Sequence, residues 1–317
     1  MEIAKIFPGC LRDALAGDDW QEGLEEIRVR VGRPVEFLYD TGNKYLLRKE
    51  AGGVFAGARY GEVYGEESGM RMADIAEMLN YISNYSLYAY SEEVKQGYIT
   101  IEGGHRIGLA GSVARENGEI SAVHHVAFLN IRIAHEKKGC AEEVMQFIRD
   151  GDSIYNTLFL SEPGAGKTTL LRDCIRLLST GTKEIQGMKV CVVDERSEIA
   201  ACHLGVPQND LGPRTDVLDG CGKAEGMRML LRAMSPQVIA VDELGGREDF
   251  LAVEQALYSG SRIIGTIHAG SVRELSEKPF LQGWVEKQMF GRYIWIRRTP
   301  GGGRCTQVFD AHMERLC

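Results

Sequence analysis

The feature that most restricts the fold of this 317-residue chain is a short glycine-containing loop between an apolar run and a helical run. Residues 161–168 read SEPGAGKT, with TLFL before them and TLLRDCIRLL after them. The segment matches the pattern G-x-x-x-x-G-K-[ST] except at its first position, which is Ser161. A strand, a glycine turn and a helix in this order predict a parallel α/β sheet that carries a phosphate-binding loop.

The residue types in this loop are those that a bound triphosphate requires. Glycines let backbone N–H groups approach the phosphates, and the helix that follows directs its N-terminal dipole at the same anion. Lys167 would place a positive charge at the β- and γ-phosphates, and the Thr168 hydroxyl would bind Mg²⁺. The residues predicted to bind ATP are Pro163, Gly164, Ala165, Gly166, Lys167, Thr168 and Thr169.

The start of the loop departs from the pattern at two positions. Ser161 replaces a glycine, the residue best suited to a positive φ angle. Glu162 adds a negative charge, which would repel phosphate if its side chain pointed inward. An ordinary glycine turn is the alternative interpretation, and the acidic motifs further along the chain make it the less favoured one.

Two apolar runs end in paired acidic residues. PQVIAV leads into Asp242 and Glu243, and VCVV leads into Asp194 and Glu195. At a strand end that faces the phosphate loop, Asp242 would lie in the Mg²⁺ shell, and Glu243 could orient and deprotonate the attacking water. Capping of a strand-to-helix loop is the less favoured interpretation of the first pair, and a structural salt-bridge cluster is the alternative for the second.

A third run, RIIGTI, ends at His268, and several arginines are candidates for a catalytic role. A polar residue at that strand end could contact the γ-phosphate, although a lone histidine is more often structural. Catalysis in this class often takes an arginine from a neighbouring subunit. Arg214, in the loop LGPRTD, is one candidate, and Arg106 and Arg132 are two more that the sequence does not rank. The arginines interpreted as surface or packing residues are Arg172, Arg228 and Arg232.

The rhythm of the chain changes near residues 136–141, which places a smaller α+β domain over residues 1–139. Within it, alternating apolar and charged residues over 26–37 predict a strand pair. Helical spacing over 72–88 predicts a helix, and 98–134 reads as strands joined by hairpin turns, one of them at Glu-Asn-Gly.

The second domain, residues 140–317, alternates short apolar runs with helical runs. This pattern predicts a parallel sheet that is buried on both faces. Strands are predicted at 155–160, 190–193, 238–241 and 262–267, and helices from 167, at 224–234 and at 249–259. A terminal hairpin over 293–309, with its turn at 301–303, ends the domain.

Charge and hydropathy exclude several classes of protein. The net charge of −8 argues against sequence-independent binding of nucleic acid, which needs a basic surface. No apolar run reaches the roughly 18 residues of a membrane span and no signal-peptide core is present, so the chain is expected to stay in the cytoplasm. The eight cysteines contain no C-x-x-C pair, so neither zinc nor a redox dithiol is expected. One local basic patch, more simply a solvated strand face, consists of Arg292, Arg297, Arg298 and Arg304.

Taken in order, the phosphate loop, VVDERSE, VIAVDELG and TIHAGS resemble the Walker A motif, Asp box, Walker B motif and His box of secretion-type ATPases. Those ATPases drive type II and type IV export machines. The chain is most similar to one branch, the stage III sporulation AA proteins of endospore-forming bacteria. The stretches that carry this resemblance cover both domains: EEIRVRVGRPVEF, QGYITIEGGHRIGLAGSV, LNIRIAHE, VVDERSEIAA, GPRTDVLDGCGKAEGM and VDELGGRED.

The resemblance implies a RecA-like P-loop domain behind the smaller α+β domain. It implies a mother-cell ATPase that forms a homo-oligomeric ring, a hexamer, on membrane channel proteins between mother cell and forespore. Such a protein is cytoplasmic and peripheral to the membrane, with no transmembrane segment of its own. Carried over, Glu243 is the catalytic base, Glu195 an accessory acid and His268 the sensor, while Thr168 and Asp242 hold Mg²⁺. The loop start and the stretch 284–310 depart from the family pattern.

Three other functions remain to be weighed. A nucleic-acid-dependent ATPase would need a basic, aromatic groove, for which Tyr293 and Trp295 are the candidates although the acidic charge disfavours it. A nucleotide-gated scaffold would follow if Ser161 and Glu162 mark a degraded site. A small-molecule kinase is less favoured, because the sequence contains no recognisable lid over an acceptor site. Such a kinase would also not explain the first domain.

Overall fold

The computed structural model describes residues 3–15, 20–49, 52–56, 69–86, 90–95, 97–116, 118–181, 186–277, 279–299 and 304–317. The chain divides into two compact units, Met1–His135 and Glu136–Cys317. The sequence places this boundary a few residues later, after residue 139. No helix within the described ranges combines the length and the apolar character that crossing a membrane requires.

The first unit is built on one seven-stranded sheet in the order β4-β3-β2-β1-β7-β6-β5. All its strand pairs are antiparallel. The strands are β1 (Leu24–Arg30), β2 (Val35–Tyr39), β3 (Gly42–Lys49), β4 (Gly52–Ala56), β5 (Tyr98–Thr100), β6 (Arg106–Glu116) and β7 (Glu119–Arg132). The helices are α1 (Gly9–Arg12), α2 (Met72–Ile82) and α3 (Ser91–Lys95), with 3-10 turns at Ile3–Ile6 and Asp13–Leu15.

The core of this unit lies on one face of the sheet. In β1 the buried residues Ile27 and Val29 alternate with more exposed charged ones, as the period of a strand requires, and an irregularity between Leu24 and Glu26 precedes them. Phe37 of β2 stacks on Phe7, with ring centroids 6.1 Å apart. The amphipathic sequence pattern therefore explains why this sheet has one covered face.

The predicted elements of the first unit are found with different bounds. The strand pair predicted over 26–37 is confirmed as β1 and β2. The helix predicted over 72–88 ends at Ile82, because Asn84 and Tyr85 adopt left-handed backbone angles that a helix does not continue through. Residues 87–89 and 117, on which parts of these predictions fall, lie outside the described residues.

The second unit contains a seven-stranded sheet in the order β12-β11-β13-β14-β10-β15-β16, and a two-stranded one formed by β8 and β9. Its strands are β8 (Arg149–Asp150), β9 (Ser153–Ile154), β10 (Thr157–Ser161), β11 (Val190–Asp194), β12 (Thr215–Asp219), β13 (Val238–Val241), β14 (Arg262–His268), β15 (Arg292–Arg298) and β16 (Arg304–Phe309). Its helices are α4 (Glu142–Ile148), α5 (Lys167–Thr180), α6 (Lys223–Ala233), α7 (Arg247–Tyr258), α8 (Val272–Glu277) and α9 (Pro279–Glu286).

The large sheet is parallel except for its last pair, β15 and β16, and its inner strands are buried on both faces. Phe159 and Val192 pack on the side covered by α5, whereas Leu160 and Val193 pack on the side covered by α6 and α7. Short continuous apolar runs are what a strand between two helical layers needs. The predicted doubly covered parallel sheet is confirmed.

The order of the strands in the sheet determines which strand ends lie side by side. β14 lies between β13 and β10, and its register puts His268 beside Ser161, the last residue of β10. The next pair matches Val241 with Gly265, so Asp242 follows beside Thr266. The carboxyl ends of these strands therefore form one edge, which is where ligands bind in open α/β sheets.

Strand β12 is one element of this unit that the sequence analysis did not predict. The edge strand β12 has only two apolar residues, Val217 and Leu218, and is half-exposed, so it lacks the continuous run that marked its neighbours. The terminal hairpin is confirmed as β15 and β16, but its predicted turn at 301–303 lies outside the described residues.

Candidate nucleotide site

The phosphate loop joins β10 to α5. Its left-handed residues are Gly164, with φ of 75°, and Gly166, with φ of 93°, where a side chain would be strained. Ser161 is instead the buried last residue of β10, and its hydroxyl donates to the carbonyl of Glu162 at 2.6 Å. The serine therefore does not occupy a position where glycine is needed. The side chain of Glu162 is exposed.

The flanking loop residues are placed as a turn into a helix requires. Pro163 is exposed, Ala165 is buried, and Thr169 lies in the first turn of α5. The helix has no side-chain cap at its start, which leaves its first N–H groups directed at the loop. An anion held in the loop would satisfy these groups.

Lys167, His268 and Glu243 form a chain of hydrogen bonds. Lys167 Nζ donates to His268 Nδ1 at 3.2 Å, and His268 Nε2 lies 3.0 Å from Glu243 Oε1. A lysine ammonium has donors only, so Nδ1 is the acceptor and Nε2 carries the proton that Glu243 accepts. Burial lowers the pKa of Lys167, while the charges of Asp242 and Glu243 act in the opposite direction. The side chains of Lys167, His268 and Glu243 are thus linked by two consecutive hydrogen bonds.

Thr168 and Asp242 lie side by side at the start of α5. The Thr168 hydroxyl donates to Asp242 Oδ2 at 2.7 Å. The other carboxylate oxygen, Oδ1, accepts from the buried Thr266 hydroxyl of β14. Within the described residues no cluster of three or more histidine, cysteine, aspartate or glutamate side chains could hold a metal by itself.

This sparse donor set fits Mg²⁺ bound together with a nucleotide. Magnesium keeps several waters and takes one or two protein oxygens plus phosphate oxygens rather than a full protein cage. Thr168 and Asp242 would supply those oxygens, and the ion would neutralise charge on the phosphates. The two side chains are already within hydrogen-bond distance of one another.

Glu243 occupies a strained backbone position with φ of 52°. Its N–H donates to the Thr266 hydroxyl at 2.8 Å and approaches Asp242 Oδ1 at 3.1 Å, which holds this conformation in place. Burial acts to raise the pKa of the Glu243 carboxyl, but the hydrogen bond from His268 and the charges of Arg196 and Lys167 outweigh it and hold the pKa below its usual value. Glu243 is therefore a carboxylate at neutral pH, able to accept a proton.

The second acidic pair divides into two different roles. Asp194 is 1% exposed and accepts the backbone N–H groups of Glu198, Ile199 and Ala200 at 2.7–2.9 Å. Burial raises its pKa to about 6, although these hydrogen bonds favour the charged form. Asp194 therefore holds the loop after β11.

Glu195, one residue further, points outward and forms an ion pair with Lys223 at the start of α6. It lies in a small cleft whose lining is Asp194, Glu195, Arg196, Glu198, Lys223, Asp242 and Glu243. The structure thus places Glu195 near Glu243 at the mouth of the site.

Comparison with known proteins identifies the family. The model of the family "Sporulation stage III, protein AA" matches residues 1–316. The Stage III sporulation protein AA of Bacillus subtilis (strain 168) is 42% identical over 312 residues, which cover 98% of this chain and 94% of that protein. The chain belongs to this family.

Solved structures support the fold of this sporulation stage III AA protein. The pilus retraction motor PilT with bound ADP superposes with a TM-score of 0.59 at 14% identity, over 94% of this chain and 80% of that one. The Legionella pneumophila ATPase DotB gives a TM-score of 0.52 at 15% identity, over 92% and 78%. At such identity the likeness concerns the fold, a RecA-like P-loop domain preceded by a smaller α+β domain.

Arg196 is a site residue that the sequence interpretation missed. Its Nη1 donates to Glu243 Oε2 at 2.8 Å, from the turn that follows β11. The signal was present in the motif VVDERSE, since a strand-end arginine next to Glu195 lies at the same sheet edge as Glu243. Alternation along the strand, however, does not say which way a turn residue points.

Arg214 lies at the opposite end of α5 from the phosphate loop. Its N–H donates to the Ser179 hydroxyl at 2.7 Å, and its Nη1 to the Ser179 carbonyl at 3.1 Å. Ser179 and Lys167 are 12 positions apart, about 18 Å along a helix. The structure therefore does not bring Arg214 to the site of its own subunit, and the predicted role from a neighbouring subunit stays a prediction.

The remaining predicted arginines have other surroundings. Arg172 is largely buried and donates to the carbonyls of Glu198 and Ile199, so it holds the same loop as Asp194. Arg106 of β6 lies over the Tyr98 ring at 4.6 Å, and Arg132 ends β7. Arg228 and Arg232 lie on α6 as helix-surface residues.

The two hydrogen bonds of the Thr266 hydroxyl can be tested with a conservative substitution. Thr266→Val keeps the shape of the side chain but removes the hydroxyl that contacts both Asp242 and the Glu243 N–H. If the site hydrolyses ATP, we expect kcat to fall by roughly tenfold, because the proposed magnesium ligand and the proposed base both lose a hydrogen bond. Steady-state ATP hydrolysis measures this effect.

Thr157→Val is the matched control. Thr157 is buried at the other end of β10, and its hydroxyl donates to the Tyr155 carbonyl at 2.9 Å. Both variants should lose about 1 kcal/mol of stability, and only Thr266→Val should lose turnover. Equal turnover in the two variants would contradict a positioning role for Thr266.

Proposed function

We propose that this sporulation-family chain is a Mg²⁺-dependent ATPase. The observation that carries the proposal is the convergence of Lys167, Thr168, Asp242, Glu243 and His268 at the carboxyl edge of one parallel sheet. Each lies where its chemistry is useful: a cation and a hydroxyl at the phosphate loop, and two carboxylates at the end of β13, two strands from β10 in the sheet. The P-loop fold shared with the ATPase DotB and with the ADP-bound motor PilT supports the same function.

In the proposed reaction, the phosphate loop and Lys167 bind the β- and γ-phosphates. A magnesium ion held by Thr168 and, through water, by Asp242 would neutralise charge on the phosphates. Glu243 accepts a proton from the attacking water, and His268 senses whether the γ-phosphate is present. Glu195 is an accessory acid, paired with Lys223 at the rim.

The larger function we propose is mechanical work or gating at a membrane. The chain would assemble as a homo-oligomeric ring, a hexamer, with hydrolysis at the subunit interfaces and Arg214 a candidate to act in trans. It would be cytoplasmic, at the mother-cell face of a sporulation channel complex whose membrane proteins are its partners. Family membership and a fold shared with a pilus retraction motor support this proposal.

Native mass with and without ATP and Mg²⁺ tests the ring. Glu243→Gln should trap bound ATP by blocking proton transfer, so we expect this variant to give a ring-sized mass when ATP and Mg²⁺ are present. Lys167→Ala, which should not bind ATP, is the control expected to show no ATP-induced change. A monomer at all nucleotide concentrations, with ATP bound, would contradict the proposed ring.

The side-chain contacts of the terminal hairpin argue against the alternative of a nucleic-acid-dependent ATPase. Tyr293 is buried, and Arg297 stacks over the Trp295 ring at 4.5 Å. Arg292 donates to the Phe147 carbonyl and stacks over Tyr155. Tyr293 and Arg292 therefore serve internal packing, whereas Arg297 is exposed. Salt-sensitive stimulation of hydrolysis by single-stranded DNA or RNA would restore the alternative, and ATP binding without turnover would favour the scaffold.

A further inference from the structure

The carboxylate of Glu243 lies between His268, which contacts Lys167, and the cationic side chain of Arg196. One of its oxygens accepts from His268, which in turn accepts from Lys167. The other oxygen accepts from Arg196 at 2.8 Å. Lys167 is the cation that the phosphates of a bound triphosphate would contact. In this structure Glu243 therefore supplies the negative charge that a terminal phosphate would bring to the same cations.

Arg196 is placed so that it can change partners. Its side chain is 64% exposed, whereas that of Glu243 is 28% exposed, so the guanidinium lies at the open side of the pair. An ion pair this exposed is weakly held. Guanidinium groups bind phosphate oxygens through paired, charge-assisted hydrogen bonds, and a multiply charged phosphate competes well with one carboxylate.

Two other charged side chains that line the cleft, Lys223 and Asp194, are held by partners other than Glu243. Lys223, which also lines the cleft, forms an ion pair with Glu195. Asp194 is turned into the loop after β11, where three backbone N–H groups hold it. Arg196 thus contacts Glu243, which His268 links to Lys167 of the phosphate loop.

We propose that Arg196 exchanges Glu243 for the γ-phosphate when ATP binds, and that this exchange makes the site prefer ATP to ADP. The inference rests on the proposed function. ADP lacks the γ-phosphate, so Arg196 stays on Glu243 in the ADP state. Release of Glu243 Oε2 in the ATP state leaves that oxygen available to a water molecule, which couples recognition of the γ-phosphate to activation of the base.

Calorimetric titration with ADP and with a non-hydrolysable ATP analogue, both with Mg²⁺, tests the exchange. Arg196→Ala should weaken binding of the analogue by about tenfold or more, the loss expected for one charge-assisted hydrogen bond, and should leave ADP affinity within about twofold. Arg196→Lys, which keeps the charge, should recover part of the preference. Arg228→Ala removes an arginine of α6 that donates to Gln255, outside the cleft lining, and should change neither affinity.

The outcomes separate this inference from the proposed function. If Arg196→Ala weakens both nucleotides equally, or neither, while remaining folded by thermal unfolding, the inference is wrong and the proposed function stands. If the wild-type protein binds neither nucleotide, the proposed function is wrong and the inference falls with it. A selective loss of the analogue, with partial recovery in Arg196→Lys, supports the exchange.

Discussion

Replacing Glu243 by glutamine is expected to reduce ATP hydrolysis by about 10²-fold or more while ATP binding persists. Glutamine keeps the length of the side chain and one acceptor oxygen but cannot accept the proton of the attacking water. Lys167 and Thr168 are unchanged in this variant, so the phosphate loop should still bind nucleotide. Steady-state hydrolysis and equilibrium binding, measured on the same preparation, check the two halves of the expectation.

Glu248→Gln is the matched control for that variant. Glu248 is exposed in the first turn of α7, five positions beyond Glu243. Its substitution by glutamine removes the same negative charge as Glu243→Gln. Its turnover should equal that of the wild-type protein. Loss of nucleotide binding in Glu243→Gln, or comparable loss of turnover in both variants, would contradict the assignment of Glu243 as base.

Asp194→Ala is expected to cost several kcal/mol of folding stability. The substitution leaves the N–H groups of Glu198, Ile199 and Ala200 without their acceptor, and an unsatisfied buried donor costs about 1–3 kcal/mol. Loss of this support also frees the turn that carries Arg196. Chemical denaturation, monitored by fluorescence, measures the change in the free energy of unfolding.

An exposed aspartate on the neighbouring strand provides the comparison. Asp216 lies on β12, which pairs with β11, and Asp216→Ala should change stability by less than about 0.5 kcal/mol. A similarly small change for Asp194→Ala would show that the loop after β11 does not depend on this carboxylate.

The same aspartate predicts a pH dependence of stability. Its folded-state pKa, about 6, lies above the ordinary value of 3.8, so between these values the folded protein binds a proton that the unfolded chain does not. The contribution of Asp194 to stability therefore falls as pH rises through this window, by roughly 3 kcal/mol in total. Relative to Asp194→Asn, the wild-type protein should gain stability between pH 7.5 and pH 5; no such relative gain would mean that the three hydrogen bonds, and not burial, dominate.

Much of the second unit follows from local sequence signals. The apolar runs that end at Ser161, Asp194 and Val241 could be read as buried parallel strands because both their faces need apolar residues. Glycines at 164 and 166 followed by Lys167 and Thr168 predict the loop for the same local reason. These features depend on neighbours in the chain, so the sequence carries them.

Other features depend on strand order and on turn geometry, which local patterns do not contain. The insertion of β14 between β13 and β10 is what puts His268 beside Ser161 and Thr266 beside Asp242. The difference between Asp194, turned inward, and Glu195, turned outward, follows from where β11 ends. Arg196 was missed because its direction is set by the turn after that strand. The contacts of Arg214 with Ser179 could not be predicted because they are set by the far end of α5.

The most direct test of the account is Mg²⁺-dependent ATP hydrolysis by the purified wild-type protein beside Lys167→Ala. Lys167 is the cation of the phosphate loop and contacts His268 in this structure. We expect measurable turnover that requires Mg²⁺ in the wild-type protein and none above background in the variant, which should still fold. Turnover that persists in Lys167→Ala, or that does not depend on Mg²⁺, would contradict the assignment of this loop as the nucleotide site.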